Sequence, residues 1–128
     1  MSFCTAINCM DGRTQLPVSE FLRDKLGVAY VDTITEAGPV KILAEQPDSD
    51  AARSILCRVD ISVKKHGSKC VGIVAHHDCA GNPVDERTQK GQLDLAVRFI
   101  AAHYPAVRVR GLWVDSEWTV TQVCEARD

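Results

Sequence analysis

The stretch that decides the reading is VGIVAHHDCAGNP, residues 71–83. Five apolar or glycine positions run from Val71 to Ala75, and the run then breaks into His76, His77, Asp78 and Cys79 before a turn at Ala-Gly-Asn-Pro. A short continuous apolar run bounded by turn residues is the pattern of a strand buried on both faces, as in a parallel sheet. Such a strand is predicted over 70–76, and it delivers imidazole, carboxylate and thiol side chains to one end of the sheet.

Working outward, strands and helices alternate. FCTAIN (3–8) and VAYVDTIT (28–35) read as short strands, and PVSEFLRDKLG (17–27) between them as a helix. Pro17 suits that helix's first turn and Gly27 its exit, with Val18, Phe21, Leu22 and Leu26 as the apolar stripe. AGP (37–39) reads as a loop. Residues 49–67 form the clearest helix, capped by Ser49 or Asp50 and ended at Gly67, with Ala52, Ile55, Leu56, Val59 and Val63 on one face. Lys64, Lys65 and His66 read as solvated charges at the negative end of its dipole. A further helix is predicted over 92–104, with Leu93, Ala96, Val97 and Ile100 inward. Strands at 106–115 and 118–124 close the chain as a hairpin. The resulting β-α-β-α-β-α-β-β order predicts an α/β fold, a parallel sheet flanked by helices. Ligands in such sheets bind beyond the carboxyl ends of the strands where the winding direction switches. The first and third strands are the expected neighbours there.

Length and composition fit a single domain spanning 1–128. The 128 residues carry 45% hydrophobic and 25% charged side chains, enough for one core and too few for two. A net charge of −2 favours neither a nucleic-acid nor a membrane-surface partner. No apolar run approaches the roughly 20 residues of a membrane span, and MSFCTAINCMDGR lacks the pattern of a signal peptide. A cytoplasmic location is expected. The six cysteines then read as packing or metal-binding thiols rather than a disulfide framework.

Both predicted strand ends carry chemistry: Cys9, Asp11 and Arg13 after the first strand, and His76 to Cys79 after the third. His76 and Cys79, three residues apart in a tight turn, can share one ion, and Cys9 can supply a third ligand. Thiolate and imidazole donors suit zinc. Cys70 and Cys4 stand roughly 20 Å and 16 Å from the site along extended strands. With Cys57 and Cys124 they read as packing residues. Three protein ligands leave a fourth position for water, the arrangement of a catalytic zinc. Asp11 can close the shell, or, held by Arg13 through a charge-assisted pair, can orient the water. Strand alternation sends His76 and His77 in opposite directions, so both are not expected on one ion.

These residues resemble the β-class carbonic anhydrases. That family carries Cys-x-Asp-x-Arg after its first strand, here Cys9-Met10-Asp11-Gly12-Arg13, and His-x-x-Cys after its third, here His76-His77-Asp78-Cys79. Residues 59–81 resemble its helix–strand–ligand segment, and Glu36-Ala37-Gly38 its Asn-Ala-Gly loop. The resemblance implies zinc on Cys9, His76 and Cys79, an Asp11–Arg13 catalytic dyad, and a substrate pocket that includes Ala37 and Gly38. It also implies a parallel sheet of order 2-1-3-4 with an antiparallel edge strand, and a homodimer or higher homo-oligomer. With the first strand expected at 3–8, no counterpart of the family's N-terminal helical arm is expected, Thr35–Pro39 departs from its Arg-Asn-Ala-Gly-Asn run, and its Cys-Gly-Gly reads Cys79-Ala80-Gly81. The expected activity is a lyase reaction on a small molecule, zinc hydroxide attacking CO2 to give bicarbonate, with His77 or Glu36 carrying the proton away. Two alternatives share the site: hydrolysis of carbonyl sulfide or carbon disulfide, and a non-catalytic zinc-binding domain.

Other chemistries find no support. There is no Gly-x-Gly-x-x-Gly or Walker loop, no Cys-x5-Arg phosphate cradle at Cys9 or Cys79, and no Cys-x-x-Cys redox pair. Arg108 and Arg110 read as the wetter face of a strand, and His103 as a partner of a helix dipole. Trp113 and Trp118 flank the last turn, as caps of the core or contacts for a partner subunit.

Overall fold

The structure is a computed structural model and describes residues 2–126. In chain order it contains β1 (Phe3–Cys9), α1 (Gly12–Leu26), β2 (Tyr30–Glu36), α2 (Pro39–Glu45), α3 (Asp50–Asp60), β3 (Cys70–His76), α4 (Glu86–His103), β4 (Arg108–Val114) and β5 (Val120–Ala126). The sheet runs β2-β1-β3-β4-β5. The first four strands are parallel and β5 lies antiparallel on the β4 edge. The chain thus moves from β1 outward to β2 and then back past β1 to β3, so the winding direction switches between β1 and β3.

All seven residues of β3 are buried, because helices cover both sheet faces. Val71, Ile73 and Ala75 pack with Ile55 and Val59 of α3 and Leu93, Ala96, Val97 and Ile100 of α4. Cys70 and Val74, which point the other way, pack with Val18 and Leu22 of α1 and with Cys4 and Leu112. Gly72 lets α1 approach: a Cβ there would stand 3.3 Å from both Leu22 and Leu112 side chains. Among the described residues no helix is long and apolar enough to cross a membrane.

Four local departures from the sequence reading have identifiable causes. Helix α1 starts at Gly12 rather than at 17, because Asp11 caps it by accepting the Arg13 N–H at 2.9 Å. Pro17 therefore sits inside the helix, forgoing one backbone bond. Helix α4 likewise starts at Glu86 rather than at 92, capped by Asp85, whose Oδ1 accepts the Thr88 N–H at 2.8 Å. The segment after the AGP loop is helix α2, which begins at Pro39 behind a left-handed Gly38 (φ 65°). Finally, α3 runs into a π-helical turn, Ile61–Lys65. The widened turn brings Ser62 inward (2% exposed) and leaves Val63 half-buried.

The other thiols and basic groups also find places. Cys4 and Cys70 are buried and Cys124 is half-buried, but Cys57 is exposed on α3, so it is not a packing residue. All six cysteines are free thiols. His66 is more than an end charge: its Nδ1 lies 2.6 Å from Asp32 Oδ2 and its ring stacks on Phe3 at 4.3 Å. Arg108 is exposed and pairs with Glu125 at 2.7 Å. His103 bonds the Phe99 carbonyl in its own last turn.

Candidate metal centre

Cys9 is the last residue of β1 and His76 the last of β3, so adjacent parallel strands carry both to the switch point. Cys79 comes back to them through the turn that follows. All three are buried, at 3%, 1% and 4% exposure. Their ligand atoms lie within 4.8 Å of one another, and the two sulfurs are 3.8 Å apart. A tetrahedral ion holding two sulfurs at about 2.3 Å, the zinc–thiolate distance, spaces them by about 3.8 Å. Asp11 is not part of this group of donors.

His76 supplies the second test of fit. Its Nδ1 stands 2.7 Å from the His77 carbonyl oxygen. A carbonyl only accepts, so Nδ1 carries the proton and Nε2 presents a lone pair. That Nε2 is buried and has no hydrogen-bond partner, a situation that ordinarily costs about 1–3 kcal/mol. A metal ion would satisfy it, and a ring fixed by a bond from its other nitrogen to a backbone carbonyl is the usual setting of a ligating histidine. The three donors also set one another's proton affinities. The Cys79 thiol beside Cys9 lowers the Cys9 pKa, against the effect of burial, with help from His76 and the Gly38 and Asp11 N–H groups. The Cys79 pKa is pushed up by the Cys9 thiolate and by burial. Burial would lower the His76 pKa, but the nearby Cys9 sulfur and the His77 carbonyl outweigh it and raise it.

Two glutamines hold the strand ends from behind. Gln15 Nε2 donates to the Cys9 carbonyl at 2.6 Å, and the buried Gln89 donates to the His76 carbonyl at 2.8 Å. Each comes from the helix that follows its ligand-bearing strand.

Beside the three donors, Arg13 grips Asp11 in a fork: Nε donates to Oδ1 at 3.0 Å and Nη2 to Oδ2 at 2.7 Å. The Arg13 side-chain bonds are the largest reason the Asp11 pKa falls from 3.8 to about 2. Asp11 therefore stays a carboxylate throughout the neutral range. Arg13 also reaches the second ligand loop, donating to the Asp78 carbonyl at 3.2 Å and to its carboxylate at 3.4 Å. A cavity of about 210 Å³ opens against these groups, lined by Cys9, Met10, Asp11, Ala37, Ala80 and Gly81. Its far wall is tightly built: a Cβ on Gly81 would stand 2.6 Å from the Ala37 carbonyl carbon, and one on Gly38 would stand 2.8 Å from Asn82 Cβ.

A sequence profile of the family described as "Putative carbonic anhydrase" matches residues 1–124. The chain belongs to that family. No curated protein sequence matches it. Among solved structures, one from a study of two tetrameric β-carbonic anhydrases of Sordaria macrospora superposes with a TM-score of 0.68 at 12% identity, covering 96% of this chain and 81% of that one. The β-carbonic anhydrase CafA of Aspergillus fumigatus gives 0.55 at 15% identity, over 94% and 74% of the two chains. A mutant of CafD from the same fungus gives 0.59 at 11%, over 97% and 90%. At these identities the likeness is one of fold.

Within this carbonic anhydrase-family fold, the sequence-derived candidates do not all converge. Cys9, His76 and Cys79 come together, with Asp11 and Arg13 beside them. Ala37 lines the cavity, whereas Gly38 sits behind it as the N-terminal cap of α2. His77 is exposed, and its backbone carbonyl serves the His76 ring. Glu36 is paired with Arg58. Trp118, read from the sequence only as a core cap or a subunit contact, also stands at the site, its ring 4.4 Å from the Arg13 Cζ and 6.3 Å from the His76 ring. Nothing local marks it, since it meets Arg13 only after β5 folds back on β4. Trp113, by contrast, is buried in the core with Lys90 over its ring.

Proposed function

We propose that this chain is a zinc-dependent carbonate dehydratase-type lyase that hydrates CO2 to bicarbonate. The observation that carries the reading is the buried, unpartnered Nε2 of His76 beside two thiols, next to a carboxylate already fixed by an arginine. Cys9, His76 and Cys79 would hold zinc, which, when bound, lowers the pKa of water toward neutrality.

The chain's own groups then have separable tasks. Asp11 does not ligate: Arg13 occupies its oxygens in a fork and leaves it lone pairs to accept the O–H of the attacking water. That bond turns the water's free electron pair toward a CO2 carbon in the adjoining cavity. Arg13 keeps Asp11 ionised and fixes its plane. Met10, Ala37 and Ala80 give the cavity apolar walls, suited to a small uncharged molecule. The proton left behind passes to solvent, with the exposed His77 as carrier. A homodimer or larger homo-oligomer completes the proposal, supported by the tetrameric enzymes described from Sordaria macrospora.

The test is zinc content together with stopped-flow CO2 hydration from about pH 6.5 to 9. One zinc per chain and turnover lost on chelation, then restored by zinc, are expected. A zinc-loaded protein without CO2 turnover contradicts the reading. Sulfide release from carbonyl sulfide by that same protein would assign the hydrolase reaction instead.

A further inference from the structure

Among the described residues only two non-glycine positions have a positive φ: Asp78 at 58° and Trp118 at 62°. For a bulky aromatic this backbone is a genuine outlier, and such strain persists only where surrounding structure enforces it. The two residues are forty apart in sequence order, yet both touch one group. Asp78 accepts from the Arg13 guanidinium through its carbonyl and carboxylate, and the Trp118 ring covers that guanidinium at 4.4 Å.

The turn between β4 and β5 is built to hold this pose. Asp115 Oδ1 accepts the Glu117 and Thr119 N–H groups at 2.9 and 3.0 Å, and its carbonyl accepts the Trp118 N–H at 3.0 Å. The ring also packs against the cluster that contains Leu112 and Val114. Arg13 needs such a support, because its side chain is 47% exposed and a long exposed side chain otherwise samples many rotamers.

We propose that Trp118 is a positioning residue. Its ring forms the floor on which the Arg13 guanidinium lies, so that the fork meets the Asp11 carboxylate in one plane. The hairpin that carries the antiparallel edge strand thereby becomes the third support of the site, after the two ligand loops. This deepens the proposed function and rests on its reading of Asp11 and Arg13 as a working dyad.

The test follows the Arg13 Nε–Hε signal by NMR in zinc-free and zinc-loaded protein, with Trp118→Phe, Trp118→Leu and Trp118→Gly. Leucine keeps bulk without an aromatic face, and glycine fits the left-handed backbone. In the native chain the Hε proton is expected to be ring-current shifted and slow to exchange with solvent. Phe should keep much of this signature. Leu and Gly should lose the shift and speed exchange by about threefold to tenfold, the size of a partly desolvated cation–π contact. The β3 amide signals and metal content should stay as in the native chain. CO2 turnover should fall over a similar range in kcat with KM little changed. If either ring-less variant folds with native β3 amides and keeps the Arg13 exchange rate, the proposal is overturned. Because the NMR readout needs no turnover, a native protein that fails to hydrate CO2 would sink the functional reading while leaving Trp118's role to be decided by Arg13.

Discussion

Two of the cavities among the described residues are nearly equal in size, and they differ in how far the polar atoms at and behind their walls are partnered. One, about 230 Å³, lies beside the edge strand β2 and is lined by Asp32, Thr33, Ile34, Arg58, Ile61, Ser62 and His66. There, Asp32 accepts from Ser62 at 2.7 Å and bonds His66 at 2.6 Å, Thr5 and Ser68 complete the hydroxyl chain, and Arg58 is paired with Glu36. The other, about 210 Å³, faces the switch point, and behind its Cys9 wall the buried His76 Nε2 is left without a hydrogen-bond partner beside the Cys9–Cys79 thiols. Volume does not separate the two. A polar network that closes on itself stabilises a fold, whereas a buried donor set left open is poised for a ligand.

The largest effect should come from exchanging histidines. His76→Ala is expected to lose stoichiometric zinc, by elemental analysis, and with it all turnover above background. His66→Ala is expected to keep both and to cost about 1 kcal/mol in urea unfolding, for one hydrogen bond and a ring contact. If His77→Ala lost zinc while His76→Ala kept it, the ligand assignment would be wrong.

Asp11→Asn comes next. Asparagine caps a helix as well as aspartate, so α1 should survive and zinc should remain. Turnover should fall by about 100-fold, within the range of a lost proton acceptor. Asp11→Ala would mix this loss with a missing cap worth about 1 kcal/mol, which makes Asn the cleaner variant. Loss of zinc in Asp11→Asn would make Asp11 a ligand.

Gly81→Ala and Ala80→Gly form the third pair. A methyl at 81 must push the Ala37 backbone away, costing about 1–3 kcal/mol on thermal or urea unfolding as overpacking does. Ala80 is exposed, and its replacement should change stability by less than about 1 kcal/mol. The smallest effect is in acid. Asp11 has a folded-state pKa of about 2 against an ordinary 3.8, so its contribution to stability is present above pH 3.8 and lost as pH falls through about 2. The small stability advantage of the native chain over Asp11→Asn should vanish across that window.

The sequence carried the strand framework and the donor set because both depend on short-range pattern. A buried run ending in His-x-x-Cys is visible locally, and sheet order follows from handedness and the family resemblance. What it hid depends on groups that meet only after folding. Asp11 and Asp85 cap helices whose first turns are polar, so the sequence pattern starts α1 and α4 only near their apolar stripes, at 17 and 92. Helix α2 was concealed behind a Gly-Pro pair that reads as loop. The π-helical turn has no compositional mark, yet it turns Ser62 inward and leaves Val63 only half-buried against the core. Trp118 acquired a role only through the β4–β5 turn, and the exposed Cys57 shows that a thiol on a helix need not face its core.

The measurement that tests the central claim most directly is X-ray absorption at the zinc edge, on the native chain and on Asp11→Asn. Two sulfurs near 2.3 Å, one imidazole nitrogen and one further oxygen or nitrogen near 2.0 Å are expected, unchanged in the variant. A second imidazole, a third sulfur, or a shell that changes when Asp11 is replaced would contradict an open site built from Cys9, His76 and Cys79.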